Sequence, residues 1–139
     1  MERLRVDVEA GGRIEACEVE VDDETSTIVF TGAGRVRETF RGDDLFEALK
    51  ALRAALAPAR VLCAGARLDV WPSAMARAGG GRKAYVTRMG AQTCLSDLVD
   101  IFAPAPADTI ATLDDQAAFH ARWAASTATS EVVQVVSDP

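Results

Sequence analysis

The chain has 139 residues, 49% hydrophobic and 26% charged, which suits one domain with a real core and excludes a disordered chain. Its net charge of −6 disfavours nucleic acid as a partner, and no apolar run approaches the roughly 20 residues that a bilayer span needs. Cys17, Cys63 and Cys94 are odd in number and widely spaced; with an N-terminus that lacks an apolar signal segment, they read as free thiols of a cytoplasmic protein.

The first forty residues read as strands. Leu4, Val6, Val8 and Ala10 alternate with charged residues, the period of a strand with one wet face. Gly11-Gly12 is a two-residue turn signal, and a second strand follows over residues 14–21. There Ile14 and Ala16 are out of phase with Cys17, Val19 and Val21, and a bulge near Ala16 would reconcile them. Asp22-Asp23-Glu24 and Gly32-Ala33-Gly34 are turns that bound a third strand over 27–31 and a fourth over 35–40. Turns this short make an antiparallel meander.

The clearest helix spans residues 43–57. Asp43 or Asp44 caps it, and Leu45, Phe46, Leu49, Leu52 and Leu56 form one apolar stripe that should cover a face of the meander. Pro58 stops it. Residues 61–64 read as a strand continuing through Leu68, Val70 and Trp71, with a break at Gly65. Ser73 caps a short helix to Ala78, the glycines at 79–81 form a flexible connection, and residues 83–89 alternate again. Residues 98–102 suit a strand or a helical turn, and Pro104 and Pro106 mark a loop. Thr112 and Asp115 resemble a capping box opening a helix over about 113–126, and the run 132–136 is strand-like. The expected fold is α+β: an antiparallel β meander packed against one amphipathic helix, with a further strand pair and a C-terminal helix. It forms a single domain over 1–139 with a loose tail at 127–139.

Charge is layered along the chain. Residues 1–24 sum to −6, 25–59 to +1, 60–90 to +5 and 91–139 to −6. The basic middle holds the most tempting motif, in which Gly79, Gly80 and Gly81 could offer backbone amides to an anion while Arg67, Arg77, Arg82 and Lys83 neutralise it. No Gly-Lys-Ser/Thr follows, so this is not a P-loop, and a mobile connection with exposed cations is the plainer reading.

Other chemistry is weaker. Cys63 or Cys94 with His120, the single histidine, would make a thiol–imidazole pair, but nothing local supports it. Ser73 explains itself as a helix cap, which undercuts a Ser73–His120–Asp69 triad. One histidine and scattered cysteines lack the spacing of a zinc site. Phe119 and Trp123 lie four apart on the last helix and read as core. The sequence thus calls for no catalytic residue, metal or cofactor.

Four stretches look familiar together: Leu62-Cys63-Ala64-Gly65-Ala66-Arg67, Val70-Trp71-Pro72-Ser73-Ala74-Met75, Gly81-Arg82-Lys83-Ala84-Tyr85 and Leu98-Val99-Asp100-Ile101-Phe102. Over about residues 60–103, with weaker echoes at Gln116, Phe119 and Trp123, the chain resembles a family of small stand-alone bacterial proteins associated with immunity to secreted toxins. The resemblance implies no catalytic residue. It favours a cytoplasmic, non-catalytic interaction protein that binds a partner, such as a basic toxin domain, through acidic surfaces, with Glu15, Glu18, Glu20, Asp22, Asp23 and Glu24 as rim candidates. Two alternatives stand beside it: a small-ligand or anion-binding protein, in extension a weak enzyme, using residues 77–83, and a homo-oligomeric subunit joined through a sheet edge.

Overall fold

The computed structural model describes residues 1–137. Strands β1 (Glu2–Ala10) and β2 (Arg13–Asp22) meet at a turn in which Gly11 and Gly12 have φ of 58° and 81°. Positive φ at both central positions gives a type I′ turn, whose twist matches that of its strands. The register runs unbroken from Ala10↔Arg13 to Glu2↔Val21, so the bulge expected near Ala16 is absent. Cys17, Val19 and Val21 enter the core, while Ile14 and Ala16 lie exposed on the opposite face. Keeping every ladder hydrogen bond and wetting two side chains resolves the phase conflict. The irregularity lies instead in the last hairpin of the meander, β3 (Thr27–Gly32) with β4 (Arg35–Arg41), between Phe30 and Gly32.

Helix α1 (Leu45–Leu56) begins at Asp44, whose Oδ1 accepts from the Glu47 amide at 2.9 Å. Its expected stripe is buried, and it packs on Val6, Val8, Val19, Val21, Ile28 and Phe30 from the inner face of the sheet. Each fully buried Leu or Phe contributes about 1.5–3 kcal/mol, so this layer is the main source of stability. Strand β5 (Arg60–Val61) returns beside β1 and completes the order β4-β3-β2-β1-β5.

The extended stretch expected over 61–71 is divided between two sheets. Ala64–Ala66 form a 3-10 turn in which the Gly65 amide donates to the Ile101 carbonyl at 2.8 Å. Strand β6 (Val70–Trp71) then starts a separate sheet, β6-β7-β8, with β7 at Lys83–Val86 and β8 at Leu98–Asp100. Between β6 and β7, Ser73 caps the short helix α2 (Ala74–Ala78), its Oγ accepting from the Ala76 amide at 3.0 Å.

Helix α3 spans Leu113–Ser137, well past the expected end near 126. No glycine or proline interrupts that span, so the strand-like run 132–136 is helical; residues 138–139 of the expected loose tail lie outside the described residues. Thr112 Oγ1 accepts from the Asp115 amide at 3.1 Å. No helix among the described residues is long and apolar enough to cross a membrane.

A buried polar tie fastens α3 to the rest. Gln116 is fully buried; its Nε2 donates to the carbonyls of Gly65, Arg67 and Val70 at 2.8–3.1 Å, and its Oε1 accepts from Arg53 Nη1 at 2.6 Å. Arg53, 7% exposed, also donates through Nη2 to the Ala111 carbonyl at 2.8 Å. Buried polar groups survive in a core when their hydrogen bonds are met, and here they join α1, the 3-10 turn and α3.

Candidate functional site

The glycine-rich segment is a packed cap. The amides of Gly79, Gly80 and Gly81 donate to the carbonyls of Met75, Arg77 and Ala76 at 2.9–3.0 Å, closing the end of α2. The Gly80 carbonyl accepts from the Leu45 amide at 2.8 Å, which satisfies an otherwise open donor at the start of α1. Gly81 has φ of +75°, and a Cβ there would stand 2.8 Å from Asp44 Oδ1. Glycine is needed at this position because the chain crosses tightly over the Asp44 cap.

The cations are equally occupied. Arg77 donates to Asp44 Oδ2 at 3.1 Å and Glu47 Oε2 at 2.9 Å, with its guanidinium over the Phe46 and Trp71 rings. Arg67 grips Asp69 with two hydrogen bonds of 2.8–2.9 Å. Arg82 reaches Asp100, Glu2 and Asp23, and Lys83 lies 3.9 Å from Asp100. Arg60 and Arg88, the other bases of the 60–90 segment, pair with Glu9 and Asp97 at 3.0 Å. The arrangement offers an anion no open amide at residues 79–81, and each of the four candidate cations has a carboxylate partner. Arg67 pairs with a near neighbour and Arg77 with the start of α1, whereas Arg60, Arg82, Lys83 and Arg88 draw their partners from the acidic ends of the chain.

The thiols and the histidine stay apart in their bonding. Cys63 is fully buried, and burial pushes its thiol up to about 11. Burial, with Glu15 nearby, does the same for Cys17. Cys94 is exposed, its Sγ 3.0 Å from Ser96 Oγ. His120 is sandwiched between Trp71, at 4.6 Å and 11°, and Trp123, at 5.7 Å and 29°. Its Nδ1 is buried without a hydrogen-bond partner, and burial, then Arg77, holds its pKa below the ordinary 6.5. Ser73 is bonded to its cap and Asp69 to Arg67, so no hydrogen bond among the described residues assembles the dyad or the triad. Trp123 and Phe119, expected as core, are half-exposed, and Trp123 Nε1 donates to the Ala91 carbonyl at 2.9 Å. No group of three or more His, Cys, Asp or Glu suited to a metal occurs among the described residues.

The six acidic rim candidates divide by role. Glu20 is only 7% exposed and is locked by two hydrogen bonds from Arg37, with Arg3 at 3.6 Å. Its expected place on the rim is corrected: the two arginines fold over it. Asp22 Oδ1 accepts from the amides of Glu24 and Thr25 and shapes the β2–β3 turn, Asp23 pairs with Arg82, and Glu15 accepts from the Ala33 amide at 2.8 Å. Glu18 and Glu24 are exposed and enter no ion pair among the described residues. Asp43 joins Glu24 at one end of the sheet, since the Gly42 amide donates to the Ser26 carbonyl beside the Asp22 turn, whereas Glu18 sits farther along β2, opposite Arg5 and Thr31. The β4 edge carries Arg35, Arg37, Glu38 and Arg41, charges that discourage strand pairing with a second copy. No protein-family model and no curated protein matches the chain.

Proposed function

We propose that this chain is a non-catalytic binding protein of the immunity type, which masks a basic partner domain through the acidic end of its five-stranded sheet. The observation that supports this reading is the distribution of unanswered charge. Each base between residues 60 and 90 has a carboxylate partner, whereas among the described residues Glu18, Glu24, Asp43, Asp108, Asp114 and Asp115 enter no ion pair, outnumbering the likewise unpaired Arg13, Arg41 and Arg122. The field presented to a partner is therefore negative, and complementary charge accelerates encounter and rejects wrong partners. Glu24, at that end, and Glu18, farther along the exposed face of β2, are the contacts to test, because neither side chain is bonded into the fold among the described residues.

The test compares the wild-type chain with a Glu18→Lys/Glu24→Lys variant as baits against extract of the source cell. The expected result is a protein retained by the wild type and lost by the variant, with an association rate that falls steeply with salt. Equal capture by both baits, or binding indifferent to ionic strength, overturns the reading.

A further inference from the structure

A cavity of about 540 Å³ opens between the C-terminal end of α1 and the N-terminal end of α3. Ala57, Pro58, Val61 and Ile110 give it apolar walls, and Arg53 lines it. Arg53 is the unusual member. It is 7% exposed, yet no carboxylate pairs with it among the described residues, and its acceptors are the neutral oxygens of Gln116, Ala111 and, at 3.5 Å, Gly65. A guanidinium carries five N–H donors. The Nε–H and one Nη2–H of Arg53 have no acceptor among the described residues. Buried charges are ordinarily paired, because desolvating one alone is costly. Burial accordingly presses on the Arg53 guanidinium, working against its charged form.

We propose that this cavity binds a small aliphatic monocarboxylate, with the carboxylate on Arg53 and the chain against Ala57, Pro58, Val61 and Ile110. The ligand supplies the missing countercharge, and a planar carboxylate suits the guanidinium fork. The volume falls within the roughly 300–1,000 Å³ of ordinary small-molecule sites. Arg60 also lines the cavity but is already paired with Glu9, so a single counterion is wanted. Asp114 and Asp115, exposed in the first turn of α3, also line the cavity and repel anions, phosphate and dicarboxylates more strongly than a single carboxylate, so Arg53 is the group that must hold the ligand. This site is independent of the acidic end proposed for protein binding.

The probe is hexanoate, followed by amide chemical shifts of the ¹⁵N-labelled chain, with hexylamine and inorganic phosphate as controls. Saturable shifts at Val61, Ile110 and Ala111 with hexanoate alone are expected. Arg53→Met should abolish them. Ala57→Trp, which narrows the cavity at an exposed wall and leaves the Arg53 hydrogen bonds intact, should weaken binding by at least about tenfold. The proposal fails if millimolar hexanoate leaves those amides unmoved or if hexylamine shifts them equally. It fails too if a folded Ala57→Trp variant binds hexanoate like the wild type.

Discussion

Replacing Gln116 by leucine measures how far the domain depends on one buried amide. Its side chain accepts from Arg53 and donates to the carbonyls of Gly65, Arg67 and Val70. Leucine has a similar volume and no polar atom, so the change strands a guanidinium N–H and at least two interior carbonyls. Each stranded group costs about 1–3 kcal/mol, and the added apolar burial offsets roughly 1–2 kcal/mol. The expected net loss is about 3–5 kcal/mol, a large part of the roughly 5–15 kcal/mol that holds an ordinary domain. Urea unfolding reads it directly, and an unchanged m-value shows that the same surface is exposed. Combined with Arg53→Met, the loss should fall short of the sum of the single changes by about 1–3 kcal/mol, because the second substitution removes a group that the first had stranded. A loss under about 1 kcal/mol for Gln116→Leu, or strict additivity of the pair, refutes this account.

Gly81→Ala should lower the thermal midpoint through a loss of about 1–3 kcal/mol, since the new Cβ meets the Asp44 cap at a positive φ; an unshifted midpoint would show that the crossing is loose. His120 should titrate below 6.5 when its imidazole proton is followed by NMR. Because the unfolded chain then takes up that proton first, stability from this residue is complete above 6.5 and falls as pH drops from 6.5 to the folded value. His120→Gln should flatten that part of the profile, and a midpoint at or above 6.5 contradicts the buried stack. Of the three cysteines, Cys94 alone should react promptly with a thiol reagent in the folded protein, while Cys17 and Cys63 wait for unfolding.

Local patterns in the sequence carried the first half of the fold. Alternation over residues 4–10, two-residue turns and the stripe from Leu45 to Leu56 are properties of neighbouring residues, and each reappears in β1 to β4 and α1. The α+β class and the C-terminal helix followed from the same signals. The division of residues 61–71 between two sheets was not legible, because β5 and β6 have two residues each and no period can be read from two. Pairing across distance was equally hidden: Arg77 with Asp44 and Arg82 with Glu2 depend on tertiary placement, and that pairing decides whether the basic segment is an anion site. Glu20 was misplaced for the same reason. One signal was there to be used. Arg53 lies four residues after Leu49 and one after Leu52, on the buried stripe of α1, and a charge on an apolar stripe marks a position whose partners come from elsewhere in the fold.

The tie between Arg53 and Gln116 bridges 63 residues, whereas the β1–β2 and β3–β4 hairpins close through turns of two. Chain-entropy costs rise with the length of loop to be closed, so the meander and α1 can assemble while Arg53 is still hydrated. Capture of the guanidinium by the arriving α3 then belongs to the late, downhill side of the barrier. Substitutions at Gln116 should accordingly hasten unfolding and leave the refolding rate nearly untouched. The lifetime of the native state, more than the speed of reaching it, rests on this one contact.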